Sequence, residues 1–246
     1  MIYYFSGTGN SKYVAEQIAE LMGEDIRPLT CCDPIDSDSI GIIFPVYAWG
    51  FPSVVSDFIP KLKGIKANYI WTVMTCGDDM GYADRVLNKE LQKVGHTLHA
   101  AFSVQMPNTY VCLPGFDIDS DEKAENKVRQ TNKRIPLIVE KLKNKERVTD
   151  VVRGPIPFTY TYILGPLFNK TLVTDRYFKV SDACVKCGKC TNECPLSNIT
   201  QTTKDSFPQW NGDCTGCLRC YHLCPQHAIH FGSMTKNKGQ KKRIKG

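Results

Sequence analysis

The chain has 246 residues, 42% of them hydrophobic and 23% charged, which suits one sizeable globular domain and a small second one. No apolar stretch reaches the ~20 residues a membrane-spanning helix needs; the longest candidate, residues 40–55, is broken by Pro45, Gly50 and Pro52. The net charge of +6 equals the charge of Lys236, Lys238, Lys241, Lys242, Arg243 and Lys245 in the tail, so the remainder is neutral and offers no basic field for nucleic acid.

Residues 2–5 are apolar and β-prone, and run directly from Met1 without a signal-peptide pattern. The loop Ser6-Gly7-Thr8-Gly9-Asn10-Ser11 follows, and Tyr13, Val14, Ile18, Ala19 and Leu21 then fall at helical spacing up to Gly23. Hydroxyls and glycines at a helix N-terminus offer several donors to a phosphate. The loop is neither a Walker A motif nor G-x-G-x-x-G, so neither a P-loop nor a nicotinamide dinucleotide is indicated.

Further strands are expected at 26–29, 39–44, 69–75 and 97–105, and helices from 52 to 58, 82 to 94 and 121 to 142. Pro136 is expected to kink or divide the last. Alternating strands and helices predict an α/β, doubly wound parallel sheet of order 2-1-3-4-5 over residues 1–145. In that order a ligand sits where strands 1 and 3 diverge, beside loops 6–11 and 45–52. Residues 146–176 mix Gly-Pro pairs with Phe158, Tyr160, Tyr162, Leu167 and Phe168. A flexible linker would be polar, so this reads as an ordered connector, or as a wall of a pocket or partner surface.

Residues 177–232 hold two copies of C-x2-C-x2-C-x3-C-P, Cys184 to Pro195 and Cys214 to Pro225. This is the ligand spacing of a protein with two [4Fe–4S] clusters, in which the fourth cysteine of each run serves the other cluster. Cys184, Cys187, Cys190 and Cys224 are assigned to cluster I, and Cys214, Cys217, Cys220 and Cys194 to cluster II. Zinc needs neither the third cysteine nor the repeated Cys-Pro, and dense cysteine in a chain without a secretion signal reads as metal binding rather than disulfides. Asn198-Ile199 and Ala228-Ile229 recur at matching offsets and predict a small shared core. Gly188 and Gly216 leave room for backbone N–H groups to approach sulfur. Cys31, Cys32, Cys76 and Cys112 lie outside the runs and read as small hydrophobes. Residues 233–246 are expected to form a disordered basic tail.

The loop 6–11 resembles the FMN phosphate loop of flavodoxins, and residues 45–52 and 75–82 resemble their second and third flavin loops. A flavodoxin-like domain followed by a small α+β two-cluster ferredoxin domain is similar to the family of fused flavodoxin–ferredoxin proteins. The resemblance implies that Ser6, Thr8, Gly9, Asn10 and Ser11 hold the FMN phosphate. It implies that Pro45, Tyr47, Trp49, Gly50, Cys76 and Gly77 face the flavin ring, with Tyr47 or Trp49 stacked on it. The expected function is a cytoplasmic electron carrier linking two [4Fe–4S] clusters to FMN and serving redox partner proteins. The alternative is a flavin-dependent reductase of a small organic acceptor, with a flavin face walled by Tyr47, Trp49 and Tyr110. No catalytic acid or base is indicated, and the oligomeric state is not legible.

Overall fold

A computed structural model describes residues 1–241. Its larger part is a six-stranded sheet of order β2-β1-β3-β4-β5-β6, parallel throughout. The strands are β1 (Ile2–Tyr4), β2 (Ile26–Pro28), β3 (Ser39–Pro45), β4 (Tyr69–Cys76), β5 (Ala100–Gln105) and β6 (Thr149–Asp150). The order 2-1-3-4-5 is therefore present, with a sixth strand added at the edge from beyond residue 145.

Every residue of β4 is buried, as its run of aromatic and β-branched residues requires of a strand covered on both faces. Its two threonines are satisfied: Thr72 Oγ1 donates to the Ile42 carbonyl at 2.7 Å, and the Thr75 and Ser11 hydroxyls are 2.7 Å apart. Helices α1 (Asn10–Met22) and α4 (Asp121–Lys143) cover one face around Val14, Ile18, Trp71, Phe102 and Ile138. Helices α2 (Ser53–Phe58) and α3 (Ala83–Lys93) cover the other around Phe44, Phe58, Met74 and Leu87. Each fully buried side chain of this size contributes about 1.5–3 kcal/mol.

Of the two expected effects of Pro136, division is absent, since α4 runs undivided through it. Pro136 lies on the exposed side of the helix, where water can satisfy the carbonyl that loses its partner.

The connector is ordered. It forms α5 (Pro157–Thr159), a π-helical turn (Tyr160–Leu164) and α6 (Gly165–Leu172). Thr161 Oγ1 accepts from the Tyr82 amide at 2.8 Å and donates to the Trp49 carbonyl at 3.3 Å, seating the connector on two loops of the sheet. Arg153 ties its start to α3 through two 2.8 Å bonds to Asp84.

The small part pairs β7 (Phe178–Val180) with β10 (Ile229–Phe231), and β8 (Ile199–Thr200) with β9 (Gln209–Trp210), both antiparallel. Helices α7 (Lys189–Asn192) and α8 (Arg219–Leu223) pack together. Ile199 and Ile229 share its core, as their repeat offset predicts, with Tyr221 and with Val111 and Cys112 from the large part.

Residues 233–241 lie against both parts: Tyr221 Oη donates to the Lys238 and Gly239 carbonyls at 2.9 and 3.1 Å, and Gly239 N–H donates to Asp117 Oδ1 at 3.0 Å. Residues 242–246 of the expected tail lie outside the described residues.

Candidate functional site

A cavity of about 220 Å³ opens at the carboxyl ends of β1, β3, β4 and β5, the crevice where open parallel sheets bind ligands. Ser6, Thr8, Asn10 and Ser11 line one end. Gly9, at φ 102°, turns the chain into α1; no side chain caps the helix and its first turn holds no acid. The first N–H groups of a helix lack internal partners and carry positive potential, so this end is built to receive an anion. The loop is held in place: Gly9 N–H donates to Ser6 Oγ at 3.1 Å, and Asn10 Nδ2 donates to the Pro107 carbonyl at 2.9 Å.

Pro45, Tyr47, Trp49, Cys76 and Gly77 line the rest of the cavity, whereas Gly9 and Gly50 do not. Gly9 acts as the helix entry, and Gly50 closes a bridge with Tyr47. One face of Trp49 is taken by Tyr160, stacked at 4.6 Å and 11°, and its Nε1 donates to Asp79 Oδ1 at 2.9 Å. Tyr47 points its hydroxyl toward Gly7. Burial, then the charges of Cys217 and Cys214, hold its pKa well above the usual phenol value. Burial pushes the Cys76 thiol up to about 12, with Asp79 and Asp78 adding to the rise. Tyr110 and Thr215 also line the cavity, while their hydroxyl oxygens are buried and have no hydrogen-bond partner among the described residues. A largely apolar space with a donor-rich loop at one end fits a flavin mononucleotide.

The eight repeat cysteines divide between two smaller cavities. Cys184, Cys187, Cys190 and Cys224 line one, and Cys194, Cys214, Cys217 and Cys220 line the other. Each set takes three cysteines from one run and one from the other. The runs also repeat in backbone: Lys186 and Gly216, Gly188 and Leu218, and Ser197 and His227 all have positive φ at matching offsets. Gly216 N–H donates to Cys214 Sγ at 3.3 Å, Lys186 N–H to Cys184 Sγ at 3.4 Å, and Ala228 N–H to Cys224 Sγ at 3.2 Å. Such bonds orient and tune thiolate ligands. Burial pushes the Cys214 thiol up to about 11 and Cys217 to about 12, so metal binding there releases protons. Among the described residues no three His, Cys, Asp or Glu side chains converge as around a single ion, whereas a cubane spreads its ligands around a larger body.

The flavin-sized cavity and the Cys194–Cys214–Cys217–Cys220 cavity share walls at Phe178, Thr215, Cys217 and Leu218. Gly7 makes the contact possible, since a Cβ there would lie 2.7 Å from Cys217 Cβ and 2.6 Å from Tyr47 Oη. Arg219 Nη1 donates to the Gly7 carbonyl at 3.0 Å while Nη2 bonds Glu193. His222, also on α8, is buried, which lowers its pKa to about 4; it donates from Nε2 to the Thr109 carbonyl at 2.8 Å and accepts from Lys241 N–H at Nδ1.

The connector supplies Phe168, Leu172 and Val173 to the wall, as one of its two expected roles allowed, while sequence reasoning missed the contributions of Thr215, Gly216 and Cys112. The connector's aromatic composition was the signal for its part. Phe158, Ile163 and Leu167 on its other side are exposed.

A flavodoxin domain family model matches residues 1–111, and a 4Fe-4S dicluster domain model matches residues 183–229. No curated protein matches the chain. Among solved structures, the rubredoxin oxygen:oxidoreductase from the anaerobe Desulfovibrio gigas is similar at TM-score 0.38 and 18% identity, over 58% of this chain and 36% of that one. The Trp repressor binding protein from Bacillus subtilis is similar at TM-score 0.35 and 11% identity, over 54% of this chain and 96% of that one. Among the described residues no helix is long and apolar enough to cross a membrane.

Proposed function

Because this chain is a fused flavodoxin–ferredoxin protein, a redox protein built on flavin and iron–sulfur chemistry, we propose that it relays electrons between two [4Fe–4S] clusters and FMN. When bound, the clusters exchange single electrons and the flavin takes one or two. The wall shared at Phe178, Thr215, Cys217 and Leu218 carries this reading, because it brings Cys217, one of the cluster II ligands, to the edge of the flavin cavity.

Each residue group has a task in this scheme. Cys184, Cys187, Cys190 and Cys224 hold cluster I at the outer end, where Cys187 is exposed and a redox partner protein can approach. Cys194, Cys214, Cys217 and Cys220 hold cluster II in the middle. α7 and α8 link the two, since Cys190 and Cys220 lie on these helices and Cys194 and Cys224 follow them. Ser6, Thr8, Asn10 and Ser11 hold the FMN phosphate. Pro45, Tyr47, Cys76 and Gly77 border the ring, and Phe168, Leu172 and Val173 supply an apolar wall on the connector side.

The test is an anaerobic spectroelectrochemical titration of the purified protein, with iron and flavin counted. The relay requires FMN, two clusters, and flavin reduction in two separated one-electron steps. Reduction in one two-electron step, with turnover of an added quinone, would replace the carrier with a reductase. Absence of flavin or of cluster absorbance would refute the assignment of that half.

A further inference from the structure

Lys241 belongs to the last described residue of the chain, yet its ammonium reaches the loop that opens α1. It donates to the Thr8 carbonyl at 3.2 Å and to Asn10 Oδ1. Asn10 is turned to receive it, because its amide nitrogen is held by the Pro107 carbonyl. A lysine ammonium has three N–H donors, so one remains for a ligand at this loop.

The charge balance around the loop singles Lys241 out. Arg219 also reaches the loop, at the Gly7 carbonyl, but Glu193 neutralises it. Lys12, at the start of α1, is exposed and pairs with Glu16. Among the described residues no carboxylate forms an ion pair with Lys241. Its side chain is partly buried, and burial lowers its pKa to about 8. An uncompensated charge away from water is costly; an anion beside it removes that cost.

Lys241 is also held in place. Its own N–H donates to His222 Nδ1 at 3.0 Å, and Gln240 Nε2 donates to the Tyr221 and Cys224 carbonyls at 2.6 and 2.9 Å. These bonds fix the segment on α8, the helix that carries Cys220.

We infer that Lys241, supplied by the C-terminal segment of the iron–sulfur half, provides the positive charge of the FMN phosphate site in the flavodoxin half. This rests on the proposal that the cavity binds FMN. The iron–sulfur half thereby completes the flavin site, and removing the last residues weakens cofactor binding without touching the cavity lining.

The experiment titrates flavin-depleted full-length protein with FMN and, separately, with riboflavin, following flavin fluorescence, with iron counted in every sample. Riboflavin has the same ring and no phosphate. A hydrogen bond to a charged group predicts that Lys241→Gln weakens FMN binding about ten- to a hundredfold. Riboflavin binding should change less than about threefold on the same scale. Lys241→Arg should retain most of the FMN affinity, and iron should match wild type in both variants. Equal weakening of FMN and riboflavin would mean a general loss of structure and overturn the inference, as would unchanged FMN affinity in Lys241→Gln. Wild-type protein that fails to bind FMN would instead remove the cofactor reading on which the inference stands.

Discussion

Gly7 lies against Cys217 of the small part, and Gly7→Ala probes the proposed relay. A methyl group there would sit 2.7 Å from Cys217 Cβ and 3.1 Å from the Cys217 carbonyl oxygen, against an ordinary contact of 3.4–4 Å. Tyr47 Oη, at 2.6 Å, is the end of a side chain, but the Cys217 atoms are stiff. The phosphate loop and the cluster II loop must therefore separate by about 0.7 Å or more, the shortfall in that packed contact. Overpacking of this kind costs about 1–3 kcal/mol, which corresponds to about a five- to hundredfold loss if it falls on cofactor binding. The assay is FMN affinity by fluorescence together with iron per chain. Gly50→Ala serves as the control outside the cavity lining, since its methyl would meet the Tyr47 carbonyl oxygen at an ordinary 3.7 Å. It should cost less than about 1 kcal/mol, because no neighbour has to move. Gly7→Ala protein with wild-type FMN affinity and full iron would refute the claim that these loops are packed against each other.

Further predictions concern separate parts of the molecule. Cys187→Ala should lose half of the iron and keep FMN, whereas Cys217→Ala should disturb both, because only Cys217 lines the flavin cavity; equal flavin loss in the two variants would contradict this, and absorbance with iron analysis decides it. Arg153→Met leaves Asp84, whose side chain is 7% exposed, without its 2.8 Å partner, at a cost of about 3 kcal/mol and a fall in melting temperature of about 6–12 °C; an unchanged melting curve would mean the pair is not desolvated. Cys76 should resist iodoacetamide at pH 8 while exposed Cys31 reacts, because a pKa raised to about 12 keeps Cys76 protonated until far higher pH; peptide mass analysis showing Cys76 labelled first would count against the buried site.

The division of labour between local and tertiary information follows from the length scale of each signal. The strand–loop–helix at residues 2–22, the buried β4 and the strand order of the sheet were readable because hydrophobic periodicity and the residues of one loop are local properties. The cysteine repeat is likewise a local spacing, and Cys224 lines a cavity with the first three cysteines of the first run while Cys194 lines one with the first three of the second. Whether Pro136 would divide the helix was not readable locally, because only the fold shows that this position faces solvent.

The remaining features depend on residues distant in sequence. Phe168, Leu172 and Val173 line a cavity that begins at Ser6, and no local pattern carries that pairing. Gly7 reads as a loop glycine until Cys217 is packed against it. Lys241 reads as one more charge in a solvated tail until Tyr221, His222 and Thr8 bring it to the loop that opens α1. By itself the sequence determined which cofactor chemistry each half is built for, because that chemistry is encoded in ligand spacing and loop composition. Only the tertiary structure decided how the halves meet and which side chains complete the site between them, because those contacts join residues more than two hundred positions apart.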